Sequence, residues 1–207
     1  IVLGEKINAW KKVQSESIDN HIVKLMLFRK AGQRGYLATH QDSDWVLEIT
    51  KWQSTEKSPL HLGVAEMQLA AQPKLAGLKH LNRLEQIFLA QELSATDYDE
   101  LLVCSQSGLL VETVSQNIVF TQDGEVFTPA INLCGVAGVG LAWLKSQLEV
   151  NTKDLRIDDL KFYEGCFLIN SIRGITPVSE IEGIKKFSTK TPLHDRINHL
   201  WNELMTA

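Results

Sequence analysis

Apolar positions fall in short runs along most of the chain, and most of the runs are strand-length. His21–Phe28 carries Ile22, Leu25, Leu27 and Phe28, and Trp45–Trp52 forms a second run; both read as strands. Between them, 29–35 holds two glycines and a cluster of cations and reads as a loop. Residues 7–14 have a short helical pattern. Further along, 60–67, 101–104, 109–113, 117–120, 125–128, 166–170 and 175–178 read as strands, several of them in quick succession. Gln122-Asp123-Gly124 is a hairpin-turn signal.

Helical spacing occurs in three further places. Leu81, Leu84, Ile87 and Phe88 predict a helix from Lys79 to about Leu93. A glycine-rich turn, Gly135-Val-Ala-Gly-Val-Gly140, leads into a second helix ending near Leu148, and Leu193–Leu204 closes the chain as an amphipathic helix. Strands and helices in this irregular order predict an α+β fold. The stretch 53–59 is polar and ends on proline, and reads as a linker between 1–52 and 60–207.

Composition narrows the classes. The 207 residues are 44% hydrophobic and 22% charged, which suits a packed globular chain and excludes general disorder. A formal net charge of -4 argues against a dedicated nucleic-acid binder. No apolar run reaches the roughly 18 residues that a membrane helix needs. Cys104, Cys134 and Cys166 form no CxxC pair. The expectation is a reducing, cytoplasmic compartment, with no disulfide framework and no metal site. Residue 1 is Ile and no signal-peptide pattern follows; the chain is expected to be part of something longer.

Four local patterns could carry chemistry. Lys79, flanked by Leu78 and Leu81, would be partly buried at a helix start, which favours the neutral amine that Schiff-base chemistry uses; alternatively it snorkels to solvent. Glu112 is the only charge in 109–120. Buried, it needs a cationic or hydrogen-bonding partner such as a protonated pyridine nitrogen; on a strand edge it simply faces solvent. The glycine turn before Gly140 offers backbone N–H groups to a phosphate, or else serves close packing. Ser171 follows a buried strand, where its hydroxyl could meet a phosphate oxygen or cap an ordinary turn.

Together these blocks resemble the fold-type IV family of pyridoxal-phosphate enzymes, which contains branched-chain and D-amino-acid aminotransferases and aminodeoxychorismate lyases. Gly77-Leu-Lys-His-Leu-Asn-Arg-Leu-Glu-Gln86 and Gly32-Gln-Arg-Gly-Tyr36 look most like the lyase branch. The resemblance runs from about Ile22 to Val178. It implies pyridoxal 5'-phosphate as cofactor, with Lys79 carrying it and then moving the substrate proton. It also implies that Glu112 binds the ring nitrogen, that Val139, Gly140, Ser171 and Asn170 meet the phosphate, and that Arg34 and Tyr36 face the substrate. Asn117 matches a family position near the site, without an assigned role.

The implied reaction converts 4-amino-4-deoxychorismate to 4-aminobenzoate and pyruvate. An aminotransferase acting on branched-chain or D-amino acids is the alternative, and a non-catalytic binding module is a third. The implied architecture is an incomplete small N-terminal α/β domain, 1–52, and a large cofactor-binding domain, 60–207. The large domain would be mixed and β-barrel-like with flanking helices. Relatives carry an upstream segment with a phosphate-binding arginine, and many have arginine where Leu141 stands. A homodimer is the implied assembly.

Overall fold

The computed structural model describes residue 12 and residues 21–30, 42–53 and 58–206. It divides into two compact units, 1–55 and 56–207. In the first, β1 (His21–Arg29) and β2 (Ser43–Lys51) form an antiparallel ribbon, with His21 opposite Lys51 and Arg29 opposite Ser43. Lys24 and Glu48 face each other across it at 3.2 Å. Both strands are as the periodicity predicts. The short helical pattern at 7–14 and most of the loop at 29–35 lie outside the described residues, as do Arg34 and Tyr36.

The second unit is built on one nine-stranded sheet. In chain order come β3 (Leu60–Val64), helix α1 (Leu84–Ser94), β4 (Glu100–Cys104), β5 (Leu110–Thr113), β6 (Asn117–Gln122), β7 (Glu125–Pro129) and helix α2 (Val139–Gln147). Then follow β8 (Val150–Lys153), a 3-10 helix (Ile157–Phe162), β9 (Gly165–Asn170), β10 (Gly174–Ile181), β11 (Lys185–Lys186) and helix α3 (Pro192–Thr206). The spatial order is β5-β4-β3-β10-β9-β6-β7-β8, with β11 on the side of β10. β3 runs parallel to both β4 and β10, and β7 parallel to β8; the other pairs are antiparallel. The sheet curls, so that β5 at its edge packs back against β6 and β7.

Period-two alternation explains why one sheet serves three cores. Leu102, Cys104, Ile118, Phe120, Cys166 and Leu168 point to the inside of the curl. The intervening Val119, Phe167 and Ile169 point outward against Leu141 and Leu144 of α2 and Ile197 and Trp201 of α3. Leu101 and Val103 point outward under Leu89 of α1. A one-residue slip would exchange these sets, each large side chain being worth about 1.5–3 kcal/mol of burial. The β6–β7 hairpin turns at Asp123 and Gly124, with φ of 52° and 80°, the left-handed pair that an Asp-Gly turn supplies.

One expectation needs correction. The helix predicted from Lys79 begins at Leu84. The segment before it is held instead by a bridge between Gly77 and Val136, with Gly77 N–H donating to Gly135 O at 3.0 Å and Ala137 N–H to Gly77 O at 3.1 Å. The apolar repeat that suggested the longer helix is largely uncovered: Leu81, Leu84, Ile87 and Phe88 are each more than half exposed. β8, which the sequence pattern does not announce, reads Val-Asn-Thr-Lys with no apolar alternation; it forms by pairing in register with β7 from Val126↔Val150 onward.

Candidate active site

Four segments meet around one cleft of about 150 Å³. A water takes up about 30 Å³ in the liquid, so there is room for a small organic group. The segments are the stretch before α1 (Lys79, Arg83), the β5–β6 turn (Glu112 to Asn117), the glycine loop before α2 (Val136 to Val139), and the turn after β9 (Asn170, Ser171).

The glycine loop is shaped by close approach. Gly135 has φ of +87°, a left-handed conformation that glycine adopts without strain. Gly138 has an ordinary φ but no space: a methyl there would collide with Asn117 Oδ1. Asn117 clamps the loop from both sides, donating Nδ2–H to Val136 O at 2.8 Å and accepting Gly138 N–H at 3.1 Å. Gly138→Ala is expected to unseat this clamp and destabilise the protein by about 1–3 kcal/mol, the usual cost of overpacking a tight site; urea unfolding measures it. A methyl on Gly140 would stand 3.1 Å from the Asn170 backbone carbon, so α2 starts directly against the end of β9.

Glu112 lies on β5, an edge strand, yet is only 5% exposed. The curl of the sheet and the overlying loop cover it, so the solvent-facing reading does not hold. Its Oε2 accepts the Val136 N–H at 2.9 Å. Burial pushes its pKa up to about 7 from an ordinary 4.5, against the pull of the Val136 N–H and of the Arg83 and Lys79 cations, with Glu100 adding to the rise. Glu100, itself buried and raised by burial, bonds the Ser115 hydroxyl.

Lys79 is exposed at the cleft, not part-buried, because the 78–83 segment, neither helix nor strand, runs along the cleft wall. Asn170 is largely committed: its Oδ1 accepts the N–H groups of Ile172 at 3.0 Å and Arg173 at 2.7 Å. That leaves only its amide N–H groups toward the cleft. Val139 and Ser171 line the cleft, and Gly140 stands behind it as the second residue of α2. Leu141 is buried against the sheet in the outer core.

The structure thus brings Lys79, Glu112, Val139, Asn170 and Ser171 to one cleft and leaves Arg34 and Tyr36 outside the described residues. The polar cleft residues Arg83, Thr113, Ser115 and Gln116 went unassigned from the sequence. Arg83 is four residues beyond Lys79 in the same block; Gln116 has no pattern that marks it.

The family model for amino-transferase class IV matches residues 5–181. An aminodeoxychorismate lyase of Vibrio harveyi is 32% identical over 172 residues, 77% of this chain; the chain spans 62% of the length of that curated relative. The crystal structure of 4-amino-4-deoxychorismate lyase from Pseudomonas aeruginosa superposes with a TM-score of 0.77 at 29% identity, covering 87% of this chain and 70% of that one. An aminotransferase from Brucella abortus, solved with the cofactor PLP, shares the fold with a TM-score of 0.79 at 17% identity, covering 98% of this chain and 75% of its own.

Proposed function

The chain belongs to the amino-transferase class IV family, and from that premise we propose that it acts as a pyridoxal-phosphate-dependent carbon–oxygen lyase, converting 4-amino-4-deoxychorismate to 4-aminobenzoate and pyruvate. The observation that carries the proposal is that Lys79 and Glu112 share one cleft in a chain 32% identical to an aminodeoxychorismate lyase.

The residues present fit the cofactor. Val139 and Gly140 begin a nine-residue helix, whose first backbone N–H groups have no partner within the helix and favour an anion. The bare α-carbons of Gly138 and Gly140 keep that backbone close to the site. Glu112 uses Oε2 on Val136, and Oε1 remains to accept a ring N–H. The cofactor, when bound, draws electrons from the amine-bearing carbon of the substrate into its ring.

The chain's own groups divide the remaining work. Lys79 Nζ holds the cofactor's carbonyl carbon and later moves the proton at the substrate carbon that bears nitrogen. Glu112 keeps the ring nitrogen protonated. Val139, Gly140, Ser171 and the Asn170 amide bind the phosphate. Arg83 adds a cation in the cleft suited to a substrate carboxylate, the task also proposed for Arg34 with the Tyr36 phenol. Loss of the enolpyruvyl group leaves an aromatic ring, so the protein mainly supplies orientation and proton transfer.

Incubation of the purified protein with 4-amino-4-deoxychorismate is expected to release pyruvate and 4-aminobenzoate in equal amounts. Amino transfer to 2-oxoglutarate with no pyruvate released would overturn the lyase reading in favour of an aminotransferase.

A cytoplasmic homodimer is part of the proposal. Three buried, unpaired cysteines support a reducing compartment. The exposed Leu81, Leu84, Ile87 and Phe88 give a second subunit an apolar surface to cover. No helix among the described residues is long and apolar enough to cross a membrane.

A further inference from the structure

Among the described residues, Gln116 is the one polar cleft residue whose side chain is buried and idle. It is 3% exposed and lines the cleft, yet neither Oε1 nor Nε2 has a hydrogen-bond partner among the described residues. Its main chain is fully used: the N–H donates to Thr113 Oγ1 at 3.2 Å, and the carbonyl accepts both the Thr113 N–H at 2.9 Å and the Thr113 hydroxyl at 3.0 Å. That closed turn fixes where the side chain starts.

The side chains on either side are satisfied. Ser115 bonds Glu100, and Asn117 clamps the glycine loop. A buried amide with both ends empty lowers the stability of the ligand-free protein, and native proteins keep such groups where something else completes them. The same turn places Gln116 beside Asn117, whose carboxamide holds Gly138 immediately before the N-terminus of α2, the anion-favouring wall of the cleft.

We propose that Gln116 is a cofactor-binding residue whose amide N–H donates to the phosphate of the group that fills the cleft. This rests on the cofactor reading above. The amide is uncharged, and it adds a hydrogen-bond donor to the cleft lining.

The test is Gln116→Leu, close in volume and unable to hydrogen-bond. Two readouts are expected to move in opposite directions. Ligand-free Gln116→Leu melts about 2–4 °C higher than wild type, because an unsatisfied buried group is gone. Its Kd for pyridoxal 5'-phosphate, followed by visible absorbance, rises about tenfold, equivalent to about 1.4 kcal/mol. Its Kd for pyridoxal, which lacks the phosphate, is unchanged. Gln116→Glu, bringing a negative charge toward the phosphate, weakens pyridoxal 5'-phosphate further than leucine does.

A lower melting temperature in Gln116→Leu would mean that the amide already has a partner, such as the Glu100 carboxyl, and would overturn the inference. So would unchanged affinity for pyridoxal 5'-phosphate, or equal losses for both probes. Failure of the wild type to take up pyridoxal 5'-phosphate at all would remove the cofactor reading and this inference with it.

Discussion

Lys79→Ala is expected to end pyruvate release, lowering kcat/KM by about 10³-fold or more, while leaving the fold as it was. Proton transfer by a positioned side chain contributes about 10²–10⁴-fold on its own, and the same amine is proposed to hold the cofactor, so two functions go with one atom. The structural cost is small. Lys79 is exposed, stands outside any helix or strand, and its amine makes no hydrogen bond or ion pair among the described residues. Substitutions at such positions usually change stability by no more than about 0.5 kcal/mol. Circular dichroism and the urea midpoint should therefore match wild type while turnover collapses. Lys79→Arg separates charge from chemistry. It keeps a cation near Glu112, which Lys79 already influences, but a guanidinium makes a poor Schiff-base former and does not give up its proton. It should be as inactive as the alanine variant. Turnover within tenfold of wild type in either protein would remove Lys79 from the reaction.

Most strands were legible because a curled sheet with apolar residues on both faces leaves a short, nearly continuous apolar run in each buried strand. Ile118–Val119–Phe120 and Cys166–Phe167–Leu168 read as continuous apolar runs since each residue goes to one core or another. The glycine loop and α2 were legible from Gly135, Gly138 and Gly140. Glu112 stood out as a lone charge among neutral residues, and its burial fits that signal.

Other parts left no local trace. The 78–83 segment has helical spacing, but a long-range bridge from Gly77 to Val136 decides its conformation, and no window of sequence contains both partners. The spacing of its leucines reflects an exposed apolar surface, whereas the usual inference from such spacing is burial. β8 exists because β7 offers it an edge. Gln116 was unremarkable because glutamines are mostly solvated; only the folded chain shows that this one is enclosed and unpaired.

Glu112→Gln should both slow the enzyme and remove a pH effect, and the second result identifies the first. In the folded, ligand-free protein the Glu112 carboxyl titrates near 7 because burial disfavours its charge, whereas its ordinary value is 4.5. Between those two values the folded state holds a proton that the unfolded chain has released. Stability is therefore fullest below about pH 4.5, falls as pH rises, and has lost this contribution above about pH 7. At about 1.36 kcal/mol per pH unit, the loss is on the order of 3 kcal/mol. Glutamine has no proton to lose, and its amide oxygen can still accept the Val136 N–H that Glu112 Oε2 accepts at 2.9 Å. The difference in unfolding free energy, variant minus wild type, should thus rise between pH 4.5 and 7. A protonated ring nitrogen in the cleft would give the carboxylate a directly bound positive partner, so wild type loaded with pyridoxal 5'-phosphate should lose most of this slope, and loading should leave the pH dependence of the variant, which lacks the slope, as it was. Turnover of the variant should fall about 10²-fold, the lower end of what one buried electrostatic partner supplies in an active site. A flat difference curve would show that Glu112 is not strained by burial. Full turnover in the variant would show that the strain, if present, is not used to hold a proton on the ring.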